Sequence, residues 1–166
     1  MVHASGLYVS EVRMVLTGAR DRVRAFLTVI FNRTLVVNNM KLIADNDGKM
    51  FLDMPTRALG DHCPMCGSVT EYRHFYCYKC GTKLASAESR CTRYRPDGSL
   101  KLYVSTTFPC DDTFREQIED IVFHVFNAAL QHRFERSIMR FDERGEPLGS
   151  MEAMQPRVLL TEEIGT

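Results

Sequence analysis

Thr113-Phe114-Arg115-Glu116-Gln117-Ile118-Glu119-Asp120-Ile121-Val122-Phe123-His124-Val125-Phe126-Asn127-Ala128-Ala129-Leu130 decides the fold. Phe114, Ile118, Ile121, Val122, Val125, Phe126, Ala129 and Leu130 recur at steps of three and four residues, which places them on one face of an α-helix. Such a helix needs a second layer to cover its apolar face. Thr113 to Glu116 fits the capping-box pattern, so Asp112 or Thr113 is the expected N-cap.

The second layer is legible upstream. Leu7–Leu16, Arg24–Phe31, Thr34–Ile43 and Lys49–Met54 are rich in β-branched and aromatic residues and too short for helices. Turns are expected at Thr17–Arg22, at Asn32-Arg33 as a tight hairpin, and at Asp45-Asn46-Asp47-Gly48, while Pro55 stops the fourth strand. After a turn at Pro96-Asp97-Gly98, Leu100–Thr107 is expected to return to this sheet as a strand. The predicted class is α+β: an antiparallel β-sheet with a C-terminal α-helix packed on it.

Beyond Leu130, Phe134, Ile138 and Phe141 continue an apolar stripe, and Arg133, Arg136, Arg140 and Arg144 form a second row at helical steps. They predict a helical extension over 131–144 with a solvated arginine face. Residues 145–166 carry four glutamates against Arg157 and are expected to form a flexible acidic tail.

Between the strands and the helix, residues 58–95 change character. They hold Cys63-Pro64-Met65-Cys66-Gly67 and Cys77-Tyr78-Lys79-Cys80-Gly81, with ten residues between the inner cysteines. Each Cys-x-x-Cys turn directs two sulfurs at one small ion, and two turns complete a tetrahedron. Cys63, Cys66, Cys77 and Cys80 are therefore the expected metal ligands of a small zinc-ribbon insertion, with one zinc per chain. Iron uses the same four thiolates in a rubredoxin-like site and stays open as an alternative. A disulfide reading needs an oxidising compartment, and a thioredoxin-like one needs a βαβ context. His62 and His74 flank the turns but are not needed as ligands. With few aliphatic residues the segment is expected to fold only with metal, since a structural zinc site contributes on the order of 10 to 16 kcal/mol. Tyr72, Phe75 and Tyr76 are expected to pack beneath the turns as a miniature core. Cys91 and Cys110, outside the motif, are expected to be small buried side chains.

The whole chain bounds these readings. Its 166 residues suffice for one ordinary core and a small appendage, and 45% apolar with 25% charged residues is the composition of a soluble globular protein. Lys plus Arg equals Asp plus Glu at 21 each, so any nucleic-acid role must rest on local clustering. The first residues do not resemble a signal peptide, and no window approaches a membrane span. A cytoplasmic location is expected, with cysteines as thiols or metal ligands.

The ordered set Val9-Ser10-Glu11-Val12-Arg13, Arg24-Ala25, Val36-Val37-Asn38-Asn39-Met40-Lys41-Leu42-Ile43 and Gly48 through Met54-Pro55-Thr56-Arg57 resembles the SpoVG (septation protein, stage V sporulation G) family. The likeness resumes at Pro96-Asp97-Gly98, passes Phe108-Pro109 and reaches about Leu130, so that 7–57 and 96–130 form one discontinuous domain around an insertion at 58–95. The resemblance implies a homodimer that binds DNA or RNA as a regulator. In that family a basic pair follows Met-Pro-Ser, in the loop associated with nucleic-acid contact. Arg57 matches the first basic position, but Ala58 stands at the second, and Arg93 and Arg95 come only as the loop closes.

A nucleic acid is thus expected to be met by Arg57, Arg73, Lys79, Lys83, Arg93 and Arg95, with Tyr72, Phe75 and Tyr76 able to stack on bases. From Asp61 to Arg95 the side chains carry an excess of three positive charges, cut to one once four thiolates and a divalent ion are counted. That small excess keeps a second reading in play, a zinc-ribbon scaffold for a protein partner. No nucleophile and base, carboxylate pair or phosphate-cradling glycine loop stands out, so neither an enzyme nor a small-molecule substrate is expected.

Overall fold

Val9–Leu16 (β1), Val23–Phe31 (β2), Leu35–Ala44 (β3) and Met50–Asp53 (β4) form an antiparallel meander, as their sequences predict. The structure is a computed structural model, and it describes residues 6–18 and 21–155. The readings that fall on residues 1–5, on 19 and 20 of the Thr17–Arg22 turn and on 156–166 of the tail lie outside that range. The β2–β3 hairpin closes with Asn32 and Arg33 both at positive φ (50° and 55°), which matches a two-residue primed turn to the twist of its strands.

Two short strands follow, Thr56–Ala58 (β5) and Gly60–His62 (β6), then Val69–Glu71 (β7), a single helical turn at Ala87–Arg90 (α1), and Tyr103–Ser105 (β8). The long helix α2 spans Asp112–His132, and Arg136–Arg140 (β9) and Glu152–Ala153 (β10) complete the elements. The main sheet has the order β10-β9-β1-β2-β3-β4; β5 pairs with β8 and β6 with β7 in two separate two-stranded sheets. The chain divides into two compact units, one from residues up to Pro55 and from Thr107 onward, the other Thr56–Thr106.

Ile118, Val122, Val125, Phe126 and Ala129 of α2 are buried against Val12, Met14, Leu27, Val29, Met40, Leu42 and Leu52 of the sheet. This is the α+β architecture expected. The N-cap is Asp111 rather than Asp112 or Thr113: its carboxylate accepts the Thr113 N–H at 3.1 Å, because an acceptor two residues earlier reaches the exposed amide without distorting the turn.

The helix does not continue through 131–144. Arg133 takes a left-handed conformation (φ 55°), and Phe134 N–H returns to the Ala129 carbonyl at 3.0 Å, ending the helix. Arg136–Arg140 then pairs antiparallel with β1 and sets Ser137 and Met139 opposite Met14 and Val12, in the core. Four-residue arginine spacing is one helical turn but also two strand repeats, and the strand wins here because Ser137, Ile138 and Met139 are buried in succession in a strand paired on both sides, by β1 and β10. Arg136 and Arg140 therefore do not form a helix face. Nor is 145–155 an unstructured tail, since Glu152–Ala153 adds a strand to β9. Leu100–Thr107 also departs from expectation. Only Tyr103–Ser105 is strand, and it pairs with β5 beyond Pro55, outside the main sheet. Cys91 is buried as expected, whereas Cys110 is exposed.

Candidate functional site

The smaller unit is built around two loops of matching design. In the first, Cys63 N–H bonds the Ser68 carbonyl at 2.8 Å and Gly67 N–H bonds the Cys63 carbonyl at 2.9 Å; in the second, Cys77 N–H bonds Thr82 and Gly81 N–H bonds Cys77, both at 2.9 Å. Gly67 and Gly81 both adopt positive φ (70° and 73°), which turns each chain sharply after its second cysteine.

Strands β6 and β7 flank the first loop, and a bridge between Tyr76 and Lys83 flanks the second. The four sulfurs of Cys63, Cys66, Cys77 and Cys80 lie within 4.8 Å of one another. Cys63 and Cys80 stand 3.7 Å apart and Cys66 and Cys77 3.6 Å. A tetrahedron with metal–sulfur bonds of about 2.3 Å has edges of roughly 3.8 Å, so the four thiols have the spacing to hold one metal ion. His62 is turned to another task, donating from Nδ1 to the Gly67 carbonyl at 2.8 Å.

Hydroxyls surround the sulfurs. Ser68 Oγ lies 3.0 Å from Cys66 Sγ and 3.2 Å from Cys77 Sγ, Thr70 donates to Cys77 at 3.7 Å, and Thr82 Oγ1 is 3.2 Å from Cys80 Sγ. Ser68 in particular, helped by backbone N–H groups, lowers the Cys77 thiol to about 5 and draws Cys66 down as well. Ser68, Thr70 and Thr82 were not among the expected site residues. The signal for Ser68 and Thr82 is the repeat itself, Cys-x-x-Cys-Gly-Ser and Cys-x-x-Cys-Gly-Thr, whereas Thr70, two residues beyond the first repeat, carries no such signal.

The buried interior of this unit is small, Cys63, Cys77 and Leu84 clustering with no aromatic ring. The miniature aromatic core expected under the turns is absent among the described residues. Phe75 and Tyr76 are exposed, and Tyr72 is half-buried with the Arg90 guanidinium 5.6 Å over its ring. Packing falls instead to the four cysteines and to hydrogen bonds.

All six expected nucleic-acid residues, Arg57, Arg73, Lys79, Lys83, Arg93 and Arg95, are exposed and belong to this one unit. Arg73 is partly neutralised by Glu71 at 2.6 Å and also reaches the Tyr103 hydroxyl at 3.2 Å. Around the Pro96–Gly98 turn, Tyr94 bridges Leu100, so alternation sets Arg93, Arg95 and Lys101 on the opposite face of the hairpin.

A family model for SpoVG matches residues 7–128. The chain belongs to the SpoVG family. The match spans β1 to β8 and most of α2, and it crosses the smaller unit, so the cysteine cluster lies inside a SpoVG domain. Strands β9 and β10 lie beyond the matched SpoVG segment. No curated protein matches the chain. Among the described residues no helix is long and apolar enough to cross a membrane.

Proposed function

We propose that this SpoVG-family chain is a cytoplasmic nucleic-acid-binding regulator, taking DNA or RNA on the Thr56–Thr106 unit, where Cys63, Cys66, Cys77 and Cys80 hold one structural zinc ion. The observation that carries this reading is the segregation of charge. Thr56–Thr106 has eight Lys and Arg against four Asp and Glu, leaving 13 against 17 for the rest of a chain that is neutral overall. A net excess of four, or two after four thiolates and a divalent ion are counted, replaces the single charge of the narrower Asp61–Arg95 window. Two of those anions are already engaged inside the unit, Asp61 by Arg90 and Glu71 by Arg73. Lys79, Lys83, Arg93 and Arg95 are left toward solvent, available for phosphate.

Zinc fits four thiolates in a tetrahedron without redox chemistry, and here it shapes the loop and performs no reaction. A colourless protein with one zinc per chain meets this expectation, and a coloured, reversibly reducible one replaces zinc by iron. The homodimer implied by the family is proposed to form on the sheet face opposite α2, where Phe26 and Phe51 stand 46% and 42% exposed. Phe26→Glu should then yield a monomer in sedimentation.

The test is binding of DNA and RNA as salt is raised. Affinity falls steeply with salt and drops on Arg57→Ala and Arg95→Ala. Salt-independent or absent binding overturns the reading. A second reading, recruitment of a protein partner by the ribbon, is favoured by the exposure of Met65 and Val69 on and beside the first loop. A partner that needs the ribbon, with no nucleic acid retained, decides for it.

A further inference from the structure

We propose that the second cysteine loop binds single-stranded nucleic acid, with Tyr76 and Tyr78 offering ring faces to unpaired bases while Lys79 and Lys83 hold the adjoining phosphates. The inference rests on the nucleic-acid reading above and specifies which form of nucleic acid is taken.

Its first support is where the rings are. Phe75, Tyr76 and Tyr78 are 67%, 58% and 73% exposed, although Cys77 between them is 2% exposed and Leu84 beside them 7%. A unit with so small an interior would gain from burying three rings, and it buries none of them. Neither tyrosine hydroxyl finds a hydrogen-bond partner among the described residues. Exposed, unpartnered rings on a metal-braced loop are rigid platforms, and holding them costs little ordering on binding.

The second support is how the rings and cations are arranged. Cys77 N–H bonds the Thr82 carbonyl and Leu84 N–H the Phe75 carbonyl, at 2.9 and 2.8 Å. That pattern makes Tyr76 and Lys83 a non-hydrogen-bonded antiparallel pair, the kind whose side chains stand closest together on one face. Tyr78 and Lys79 occupy the loop that closes the same hairpin, between Cys77 and Cys80. The Tyr76–Lys83 pair sets an aromatic ring beside an ammonium group, and Tyr78-Lys79 adds a second ring and cation consecutive in the chain, which suits a strand whose bases and phosphates alternate.

Duplex DNA does not fit this chemistry. Its base faces are covered by their neighbours, leaving only edges and phosphates for contact, so exposed rings would contribute little. Unpaired bases expose both faces, and stacking on tyrosine tolerates any sequence.

The experiment uses the full chain with its metal and a fluorescent short DNA strand of mixed sequence, its RNA counterpart and the annealed duplex. Tyr76→Ala and Tyr78→Ala remove exposed rings, and retained metal content verifies that both variants fold. Single strands should bind at least about tenfold more tightly than duplex, and each variant should lose about tenfold on single strands while its duplex binding is unchanged. Tyr78→Trp should restore or exceed wild-type binding. Equal binding of single strand and duplex, with neutral variants, overturns the inference and leaves the broader nucleic-acid reading standing. Failure to bind any of the three probes overturns both.

Discussion

The guanidinium of Arg90 lies 2.8 Å from the carboxylate of Asp61, with 9% of the Arg90 side chain exposed. The same group donates to the carbonyls of Tyr72 at 2.8 Å, His74 at 2.9 Å and Ala85 at 2.8 Å. One side chain of α1 thereby ties the end of the β6–β7 hairpin to the start of the second cysteine loop. A row of cations in the sequence is easily taken as a binding surface, yet this one is a brace.

Arg90→Met should destabilise the smaller unit by about 2 kcal/mol. Asp61 is partly solvated, so the ion pair contributes modestly. The larger cost comes from the part-buried Tyr72 carbonyl left without its donor, on the order of 1 to 3 kcal/mol, while the exposed His74 and Ala85 carbonyls can turn to water. Arg90→Lys should recover only part of the loss, because a compact ammonium does not reproduce the forked geometry. Chelator competition for the bound metal is the measurement, and wild-type resistance in Arg90→Met would refute the bracing role.

Ser68→Ala should make metal retention more sensitive to acid. The Ser68 hydroxyl stands between Cys66 and Cys77 and is the main cause of the Cys77 thiol falling from 9.0 to about 5. A depressed thiol favours the folded, thiolate form, and that contribution is full above pH 9 and lost as pH falls through about 5. Without the hydroxyl the thiol returns toward its ordinary value, so protons compete better with metal and the release midpoint shifts to higher pH. Release into a chromogenic chelator during an acid titration reads this directly. A midpoint unmoved or moved lower would contradict it.

Gly60→Ala tests a close approach of backbones. A Cβ at Gly60 would lie 2.4 Å from the Thr70 carbonyl oxygen and 2.8 Å from its carbon, both main-chain atoms of the paired strand β7. No rotamer change relieves such a contact, so β6 and β7 must move apart, at a cost of about 1 to 3 kcal/mol. Metal affinity should fall with it, since Cys63 follows β6 directly. Wild-type metal affinity in Gly60→Ala would show that the strands separate without disturbing the sulfurs.

The parts of the fold that could be read from sequence are those where one local signal has one structural meaning. Asn32-Arg33 could close only a tight hairpin, and the three- and four-residue steps from Phe114 to Leu130 have no strand equivalent. Arg136 and Arg140 were ambiguous because four is a multiple of two. A clearer cue lay just beyond them. Asp142-Glu143-Arg144-Gly145 repeats the turn at Asp45-Asn46-Asp47-Gly48, each opening aspartate accepting from the backbone two and four residues on, at 2.8 to 3.0 Å. A turn there implies paired chain on both sides, and β9 and β10 provide it. In the candidate metal site the four cysteines were legible because the spacing of two Cys-x-x-Cys turns is the one a single ion needs. The exposure of Phe75, Tyr76 and Tyr78 was not, since whether a ring is inside or outside depends on how little else the unit has to bury.

Removal of the metal should separate the two units. The larger core draws on the main sheet and α2, and the smaller on Cys63, Cys77 and Leu84, with no residue in common. Chelation takes away the tie that joins the two cysteine loops, and the few buried apolar side chains of this unit, Leu59 and Leu84 beside Cys91, cannot replace a contribution on the order of 10 kcal/mol. The amide resonances of 60–95 should therefore collapse to unfolded positions while those of β1–β4 and α2 keep theirs. Circular dichroism should retain the helical signal, as α2 supplies 21 of the helical residues and α1 only four. Cys66→Ser should give the same spectrum without chelator. Loss of α2 along with the metal would mean that the larger unit depends on the smaller for its stability.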